Sequence, residues 1–527
     1  MSPRGDVGAD GSVAAPALTA ASLVALIAVA SVANLNLAVA NIAVPDIGAA
    51  FHASQTAMNL VSVGFSVGLA SSVLYLGAIG DRYGRKGLLA LGMVLTVPTA
   101  LLEAWAPDIN VLIAARVLGG VAAGMAYPTT LALITALSEG PKRTRAIALW
   151  SAVGGSMVVL ATLFAGWLLG RYWWGSVFLI SAPLAVVALA ISWFTVPAHV
   201  GETTDPVEHV GGVLSVVGVL ALVLAINLAP SPGEGTIVLV SGVVAVVALT
   251  AFFWQEHRTR YPLFDLHYAA RKTFWVAATA GMIVFGTLLG GFYVGTQFVQ
   301  LVLGYSTLKA GTVGIPAAVV MVVVAPLSAR VIARWGSRAA LLMGYGFLLL
   351  SFLTMLLLWT ASASFFEVSL AFALMGAGVA LAGTPASHSL TGSVPVSKVG
   401  MASGTADLQR DLGGSIMQSI LGAILTAAYA ADVAGRLAAT PYAGNQQVTT
   451  VLERSFASAA DFARKVDPSQ AQQIMAGARA SFLHGADWAY AAGAMAIVLG
   501  AMLVAVEFPA RDRERALLRE YAAADGR

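Results

Sequence analysis

The sequence contains no cysteine among its 527 residues, and only 10% of its residues are charged. The lack of cysteine excludes a disulfide framework, a thiolate metal site and thiol-based catalysis. A soluble domain carries about a quarter charged residues. A chain so poor in charge and 58% hydrophobic is therefore predicted to be a polytopic membrane protein. A net charge of +3, with no basic run, argues against a nucleic-acid partner.

Motifs of common enzymes and ATPases are also missing. The sequence contains no GxxxxGK[ST] phosphate-binding loop and no HExxH zinc motif. ATP is therefore not expected to drive the protein directly. No catalytic constellation stands out either, so we expect no enzyme activity, no metal and no cofactor.

Long apolar stretches dominate what is present. Windows of about 20 apolar residues, the length that crosses a bilayer as a helix, recur about fourteen times. They lie near 18–44, 57–80, 87–106, 110–137, 145–169, 173–196, 210–230, 235–254, 273–302, 309–332, 339–360, 365–388, 400–428 and 485–507. An even number of spans places both ends of the chain on the same side of the membrane.

The distribution of basic residues predicts the orientation of these spans. Lysine and arginine of bacterial-type membrane proteins concentrate in cytoplasmic loops. Alternate loops of this chain carry Arg82, Arg85 and Lys86; Lys142, Arg143 and Arg145; Arg258, Arg260, Arg271 and Lys272; Arg334 and Arg338; Lys398; and the tail Arg511, Arg513, Arg515 and Arg519. Both termini are therefore expected in the cytoplasm, and the protein in the inner cell membrane.

Three polar segments lie outside the spans. Residues 1–17 are expected to be a disordered cytoplasmic N-terminus, and residues 508–527 a cytoplasmic tail. The segment 429–484 is polar and amphipathic, and we expect it to be an extracytoplasmic excursion with short helices. Long segments cross the membrane largely regardless of charge, so its basic residues do not contradict the predicted orientation.

A charged turn with glycines connects the second and third apolar stretches. It runs from Gly77 to Lys86, and four ionic side chains lie within six of its residues. So short a connection makes the two helices antiparallel neighbours, and the glycines allow close approach at their crossing. The turn recurs in weaker form at 328–338, where Ala333 stands in the position of Asp81. The second copy has therefore lost its acid.

These features resemble the major facilitator superfamily, in particular its fourteen-helix drug/proton antiporter family. The Gly77–Lys86 turn is similar to the superfamily's signature loop. The first-helix signature corresponds to Leu35–Pro45, with Asn36 where the family usually has aspartate. Further matching stretches are Arg116–Gly120, with Gly119 replacing the usual glutamine; Ala402–Gly404 with Arg410–Gly414; and Gly304–Ser306 with Ala310–Gly311.

The resemblance implies an all-α major facilitator fold of two six-helix bundles plus two additional helices. The N-terminal bundle would span 18–196, the two inserted helices 210–254 and the C-terminal bundle 273–507. It also implies a conformational-switch loop that clamps the first bundle and takes part in the inward/outward transition. The residues of this loop are Gly77, Asp81, Arg82, Gly84, Arg85 and Lys86.

The fifth helix departs from the family pattern. Residues 150–167 align with the antiporter motif, but Ala161-Thr162 replaces a Gly-Pro pair and Ala165-Gly166 replaces a Gly-Gly pair. Without that proline the helix lacks the family's kink. Obligatory antiport and tight closure are therefore less strongly implied for this chain.

Ionisable residues inside predicted spans are functional candidates because each costs several kcal/mol unless it is paired or hydrated. Asp407, Arg410 and Asp411 share one face of a helix. Since the single arginine cannot fully neutralise two acids, we expect Asp407 to carry a proton, with a salt-bridged cytoplasmic helix end as the alternative. Arg116 is a second candidate for proton or substrate coupling, with a bundle brace hydrogen-bonded to backbone carbonyls as the alternative. Asn36 cannot titrate, so the proton carrier has moved if coupling survives.

An aromatic and amide mixture on the ninth helix suits bulky apolar or cationic substrates. We expect the substrate cavity to include Phe285, Phe292, Tyr293 and Gln297, although lipid-facing aromatics are the alternative for at least half of this mixture.

The expected function is secondary active, proton-coupled efflux of hydrophobic or amphipathic small molecules such as drugs, by a monomer in the lipid bilayer. A lipid transporter or uncoupled facilitator is the alternative within transport. A non-transporting membrane receptor or assembly subunit is the alternative from another class, and a cavity sealed by apolar side chains would favour it.

Overall fold

The computed structural model describes residues 17–53, 55–198, 200, 203–229, 234–437 and 446–525. These residues are almost entirely helical, with no strand among them. Residues 1–16, most of the predicted disordered N-terminus, lie outside the described residues.

The helices of the first half form around the predicted apolar stretches. In chain order they are α1 Ala20–Phe51, α2 Gln55–Tyr83, α3 Arg85–Ala104, α4 Ile109–Ala136, α5 Gly140–Leu169, α6 Ser176–Leu179, α7 Ser181–Thr195, α8 His209–Leu228 and α9 Gly235–Arg258.

The second half repeats the arrangement with longer helices near its end. Its helices are α10 Leu266–Ala269, α11 Lys272–Gln297, α12 Thr307–Thr312, α13 Ile315–Trp335, α14 Ser337–Leu358, α15 Phe365–Gly392, α16 Val399–Leu437, α17 Gln446–Arg454, α18 Phe456–Ala463, α19 Pro468–Glu507 and α20 Arg511–Ala524. A π-helical turn at Phe298–Val302 extends α11, and a 3₁₀ turn at Val396–Lys398 precedes α16.

Within the described part of the chain, fourteen helical spans are long and apolar enough to cross a membrane. Some spans combine two elements: α6 with α7, α11 with its π-helical turn, and α12 with α13. The prediction of an all-α polytopic membrane protein with about fourteen helices is confirmed.

Polar residues at the helix ends satisfy the backbone N–H groups that a first turn leaves unpaired. The Asp108 carboxylate accepts hydrogen bonds from the backbone N–H groups of Asn110 and Val111 at the start of α4. Ser364 and Glu367 form a capping box at the start of α15. These caps explain why the helices start where short polar stretches interrupt the apolar windows.

The repeat is visible in how helices of each half pack. We call α1–α7 the first bundle and α11–α16 with α19 the second bundle. Glycines bring backbones together at equivalent crossings: a Cβ on Gly120 of α4 would lie 2.1 Å from the Phe65 carbonyl oxygen of α2. In the second bundle a Cβ on Gly376 of α15 would lie similarly close to the Ala317 carbonyl oxygen of α13, the counterparts of α4 and α2. Any side chain at these positions would separate the helices.

The helices α8 and α9 correspond to the two predicted inserted helices. α9 packs mainly on α8, whereas α8 lies against both α2 of the first bundle and α16 of the second. The Asn227 amide of α8 donates a hydrogen bond to the Ser415 hydroxyl of α16 over 3.2 Å. At its other end, Tyr75 of α2 and His209 of α8 are joined by a hydrogen bond of 2.7 Å. The hairpin therefore lies beside the junction of the two bundles.

The segment predicted as an extracytoplasmic excursion, 429–484, contains the end of α16, the short helices α17 and α18 and the start of α19, and its side of the membrane stays a prediction. α16 runs to Leu437 and α19 begins at Pro468, so only the short helices α17 and α18 separate them; residues 438–445 lie outside the described residues. The two long helices extend past their apolar windows because they pack on each other. A Cβ on Gly485 would lie 2.6 Å from the Leu425 carbonyl oxygen, and the Ser481 hydroxyl donates to the Asp432 carboxylate over 2.7 Å.

The tail contains a helix, α20, that docks on the second bundle. The Arg271 guanidinium forms a two-pronged ion pair with the Asp525 carboxylate at 2.7 and 3.1 Å. The Glu514 carboxylate accepts a hydrogen bond from the backbone N–H of Ser337 over 3.0 Å. Ser337 starts α14, directly after the weaker copy of the charged turn. A carboxylate from the tail thus lies beside the turn whose own acid is Ala333.

Candidate transport site and its gate

The Gly77–Lys86 turn forms a one-residue connection between two helices. α2 ends at Tyr83 and α3 begins at Arg85, so Gly84 alone makes the reversal. Gly84 has φ = 114°, a backbone conformation that residues with a Cβ rarely adopt. We call the side of the molecule that carries this turn the basic face; the sequence predicts it to be cytoplasmic.

Asp81 connects the two bundles at the basic face. One oxygen of its buried carboxylate accepts hydrogen bonds from Arg85 Nε at 2.9 Å and Nη2 at 2.8 Å. The other oxygen accepts from the backbone N–H of Gly400 at 2.8 Å, in the first turn of α16. A carboxylate is favoured there because a helix N-terminus carries partial positive charge. One side chain of the first bundle therefore holds the end of a second-bundle helix.

Arg85 and Lys86 extend this contact to neighbouring backbone carbonyls. The Arg85 guanidinium donates to the carbonyl oxygens of Val200 and Val396, each over 2.7 Å. The Lys86 ammonium donates to the carbonyl oxygen of Val196 over 2.7 Å. We call Asp81, Arg85 and their partners the gate. It closes the basic face between the bundles in this structure.

The other predicted switch residues lie around the gate. Gly77 packs against α16, since a Cβ there would lie 2.9 Å from the Gly400 carbonyl oxygen. Arg82 lies at the edge, where its guanidinium donates to the Thr203 carbonyl oxygen over 3.5 Å. The structure therefore brings all six predicted residues to one junction. Their role in switching stays a prediction.

A cavity lies between the bundles, separated from the basic face by the gate. It has about 550 Å³ of atom-free space, including its open mouth. Both bundles contribute to its wall, which is largely apolar with a few polar groups. The lining residues are Ala33, Asn34, Leu37, Leu69, Tyr127, Ser151, Gly155, Val158, Phe285, Leu288, Leu289, Arg410 and Asp411.

Arg410 is the polar centre of this cavity. Its guanidinium donates to the Tyr127 hydroxyl of α4 over 2.6 Å and to the Ser387 hydroxyl of α15 over 3.2 Å. It also lies over the ring of Trp150 at 4.4 Å and the ring of Phe285 at 4.8 Å. Such contacts hold a desolvated cation in place. Arg410 therefore links side chains of both bundles, as Asp81 does at the gate.

The two acids of this cluster have different surroundings. Asp407 Oδ1 lies 3.3 Å from Arg410 Nη1, and the carboxylate is 1% exposed. Asp411 is one helical turn further along α16 and lines the cavity. Each acid has one buried oxygen, Oδ2, without a hydrogen-bond partner. Asp407 is therefore the paired acid, and Asp411 is the acid that a ligand in the cavity would meet.

Arg116 and Asn36 lie apart from the cavity, inside the first bundle. The Arg116 guanidinium donates to the backbone carbonyl oxygens of Asn36 at 3.0 Å and Val61 at 3.3 Å. Its Nη1 lies 3.8 Å from Oε2 of Glu103 on α3. Neither Arg116 nor Asn36 lines the cavity. These contacts match the bundle brace that was the alternative for Arg116. The predicted coupling residues therefore lie in two separate sites, one inside the first bundle and one at the cavity.

Of the predicted cavity residues, Phe285 lines the cavity and the other three lie outside it. Phe292 packs against Phe372 with ring centroids 4.6 Å apart. Tyr293 is exposed and its ring contacts Gly422, while Gln297 is half-buried. The predicted aromatic and amide mixture is divided among different neighbours because α11 packs on α15, α16 and α19.

Sequence reasoning missed Tyr127, Ser151 and Glu103. Tyr127 and Ser151 are ordinary residues of apolar helices, and nothing in the sequence shows that they meet Arg410. Glu103 did leave a signal, since it is an acid inside the predicted apolar window 87–106. Burial at 2% exposure beside Arg116 became apparent only when α3 and α4 packed together.

The fifth helix is continuous. α5 runs from Gly140 to Leu169 without an interior proline. It packs along α13 of the second bundle, where a Cβ on Gly155 would lie 2.8 Å from the Met321 sulfur. This agrees with the loss of the kink expected from Ala161-Thr162.

Comparisons with known proteins give a consistent result. The family model described as Major Facilitator Superfamily matches residues 25–418. The chain is 29% identical over 465 residues to the multidrug efflux pump LfrA of Mycolicibacterium smegmatis, covering 88% of this chain and 91% of LfrA. It is 28% identical over 439 residues to the methyl viologen resistance protein SmvA of Salmonella typhimurium, covering 82% and 87% of the two chains.

Solved structures agree on the fold. The proton:xylose symporter XylE superposes with a TM-score of 0.59 at 15% identity, over 94% of this chain and 98% of XylE. The human organic anion transporter MFSD10 superposes with a TM-score of 0.55 at 13% identity, over 92% and 98% of the two chains. Identities this low support the shared fold alone.

Proposed function

The chain belongs to the major facilitator superfamily, a family of transporters rather than enzymes, and we propose that it exports hydrophobic or amphipathic small molecules. The observation that carries this proposal is the cavity between the bundles, which the gate separates from the basic face. A closed gate on one side of a central cavity is what alternating access requires of one of its two conformers.

The cavity wall favours lipophilic cations among such substrates. Most of the wall is apolar, and Tyr127 and Phe285 present aromatic rings at its polar end. Aromatic rings attract cations, and the Asp411 carboxylate supplies a negative charge within reach of the cavity. Relatives named for multidrug efflux and methyl viologen resistance support this substrate class.

We place the protein in the inner cell membrane as a monomer, with both termini in the cytoplasm. The basic face then faces the cytoplasm, in agreement with the distribution of lysine and arginine. The structure would thus correspond to the conformer in which the cavity is closed to the cytoplasm. Rocking of the two bundles would break the contact between Asp81 and Gly400 and open that side.

Protons are the proposed driving ion, and the Asp407–Arg410–Asp411 cluster is the proposed coupling site. Arg410 holds Asp407 at 3.3 Å, whereas Asp411 lies at the cavity wall with one unpartnered oxygen. A cationic substrate and a proton would compete for the negative charge of this cluster. Binding of one would then release the other, which is the requirement for exchange transport.

The test is transport of a labelled lipophilic cation in proteoliposomes with an imposed pH gradient. We expect the gradient to drive accumulation in the wild type. Asp407→Asn and Asp411→Asn should each be measured, with Asp461→Asn, an exposed acid of the 446–463 region, as the matched control. Loss of accumulation with retained downhill exchange identifies a coupling acid. A wild-type protein that moves no lipophilic solute in any direction would refute the transport proposal and favour the receptor alternative.

An uncoupled facilitator is the second candidate. Asn36 cannot titrate and α5 lacks the family's kink, so two features associated with antiport are absent. Equal uptake rates with and without a pH gradient in the same proteoliposomes would favour this candidate.

A further inference from the structure

Glu103 is a buried acid that neither the cavity nor the gate uses. It lies in the last turn of α3, at the opposite end from the gate, and is 2% exposed. Its Oε2 lies 3.8 Å from Arg116 Nη1. That separation allows an ion pair but exceeds hydrogen-bond distance. Oε2 and the Arg116 Nη2 are both buried without a hydrogen-bond partner.

The position of Glu103 depends on a glycine of the neighbouring helix. A Cβ on Gly119 of α4 would lie 2.8 Å from Oε1 of Glu103, which is closer than a carbon and an oxygen can normally approach. A side chain at 119 would therefore force the carboxyl group of Glu103 to shift from this position. The sequence positions that make this acid site, 103, 116 and 119, are brought together by α3 and α4.

Arg116 does not depend on Glu103 for its hydrogen bonds. The backbone carbonyls of Asn36 and Val61 accept two of its N–H groups, and the guanidinium lies 5.0 Å from the Phe65 ring and 5.5 Å from the Phe178 ring. The arginine can thus stay in place whether Glu103 is charged or neutral. A change in the charge of Glu103 need not unfold the bundle.

Arg116 is also the ionisable group that faces Glu103. α6 and α7 contain no ionisable residue, and those of α2, from Tyr75 onward, lie toward its gate end. The other ionisable residue of α4, Tyr127, lines the central cavity. Arg116 is therefore the charged group that chiefly influences whether Glu103 is ionised.

We propose that Glu103 is a proton-binding residue of this transporter, and that it supplies the acid which the first helix lacks at Asn36. This inference rests on the proposed proton-coupled export. In the step, a hydronium ion at the end of the bundle away from the gate gives a proton to the Glu103 carboxylate: one O–H bond of the hydronium ion breaks and leaves water, and the O–H bond of Glu103 forms. During the conformational change the Glu103 O–H bond breaks and a water molecule takes the proton, which regenerates the carboxylate. Asn36 contributes its backbone carbonyl to Arg116 and keeps that cation in place.

The first experiment compares Glu103→Gln with the wild type in proteoliposomes. A pH gradient of one unit supports about tenfold accumulation for one proton per substrate. We expect Glu103→Gln to lose this accumulation and to retain downhill exchange of the labelled lipophilic cation. Glu520→Gln, a change of the same chemistry at an exposed tail residue, should accumulate like the wild type.

A second measurement separates proton binding from a structural role. The affinity of the purified wild-type protein for the cation should change with pH, and this dependence should be reduced in Glu103→Gln. The double variant Glu103→Gln/Asn36→Asp puts an acid at residue 36, whose backbone carbonyl contacts Arg116, and we expect it to recover accumulation.

The outcomes are distinct. If Glu103→Gln accumulates the cation to the same level as the wild type, the proposal is overturned. Loss of both accumulation and downhill exchange, without recovery by Asn36→Asp, would assign Glu103 to a structural brace and also overturn it. If the wild type transports no cation at all, the proposed function itself has failed; the pH dependence of binding then still decides whether Glu103 takes up a proton.

Discussion

At the scale of single residues, Arg410 shows how one cation can join two halves of a membrane protein. Its guanidinium contacts Tyr127 and Ser151 in the first bundle and Ser387 and Asp407 in the second. Lysine could not reproduce these contacts because it lacks the planar fork of donors. The same residue lies in the cavity wall, so changes in the packing of the bundles also change the site that a substrate would occupy.

The first prediction concerns the hydroxyl of Tyr127. Tyr127→Phe removes a hydrogen bond to a charged group, a type of interaction that contributes about 1.5–3 kcal/mol. Arg410 is then free to turn toward Asp411 and reduce the negative charge available to a cationic substrate. We expect the affinity for a lipophilic cation to fall about tenfold, measured by equilibrium binding to purified protein.

Tyr429→Phe is the matched control for this prediction. The Tyr429 hydroxyl donates to the Leu452 carbonyl oxygen and lies away from the cavity. Its removal should leave the affinity unchanged. Equal affinities of the wild type and Tyr127→Phe would show that Arg410 is held by its other contacts.

At the scale of helices, the tail helix α20 supplies a carboxylate, which the turn of the second repeat lacks. In the first repeat Asp81 belongs to the turn itself and accepts a hydrogen bond from the N-terminus of α16. In the second repeat Ala333 takes that position, and Glu514 of α20 accepts from the N-terminus of α14. Both turns therefore have a carboxylate at a helix N-terminus, but Asp81 reaches α16 of the other bundle, whereas Glu514 comes from the tail and binds the helix that follows the turn.

The second prediction concerns the docking of α20. Burial raises the pKa of Glu514 above its ordinary value of 4.5, although its hydrogen bonds to Ser337 oppose the shift. A raised pKa means that the docked state binds the proton more tightly than the undocked state. Docking is therefore strongest below pH 4.5, and weakens as the pH rises from there through the raised value. Hydrogen exchange of α20 amides should accelerate over this range beyond its intrinsic pH dependence.

Glu514→Gln keeps an oxygen that can accept from Ser337 and removes the charge. We expect this variant to show only the intrinsic pH dependence of exchange. Glu520→Gln on the exposed side of the same helix should behave like the wild type. An identical pH response in wild type and Glu514→Gln would contradict the role of this carboxylate.

At the scale of the whole molecule, the contacts between the bundles decide which side of the cavity is closed. The gate joins α2 and α3 to α16 at the basic face, and α8 lies across α2 and α16 on the outside. α8 meets α2 and α16 through apolar side chains such as Val219 and Leu408, whereas a side-chain carboxylate and a helix terminus make the gate contact. Such polar contacts can break and reform as the bundles move, whereas the apolar core of each bundle stays intact.

The third prediction concerns the balance between conformers. Asp81→Asn removes the charge that pairs with Arg85 and with the N-terminus of α16. We expect the closed gate to lose about 1.5–3 kcal/mol, so the population open at the basic face rises about tenfold or more. Transport should fall while folding and expression stay normal.

The absence of native cysteine allows a direct measurement of this balance. A cysteine introduced at Leu74, which is buried where α2 packs against Gly404 of α16, should react faster with a membrane-impermeant thiol reagent in the Asp81→Asn background. Asp461→Asn serves as the control at an exposed acid. Unchanged labelling together with unchanged transport would exclude the proposed gate role.

The sequence by itself determined the fold class, the number of spans and the repeat. Low charge, apolar windows of membrane-crossing length and the recurring glycine turn are local properties, and a bilayer forces such windows to become helices. The six residues of the turn were also recognisable, because their spacing along the chain is their spacing in space. Arg410 and its two acids lie within one helical turn of each other, so their shared face was predictable for the same reason.

The tertiary structure decided what those groups face. Tyr127 and Arg410 are 283 positions apart in the chain, and only bundle packing brings them together. Packing likewise divided the predicted aromatic and amide mixture of α11, extended α16 and α19 beyond their apolar windows, and placed Glu514 beside the turn that lacks an acid. Glu103 illustrates the physical reason most directly: the sequence shows an acid near the end of a span, and only the packing of α3 on α4 buries it beside Gly119 and the cation of Arg116.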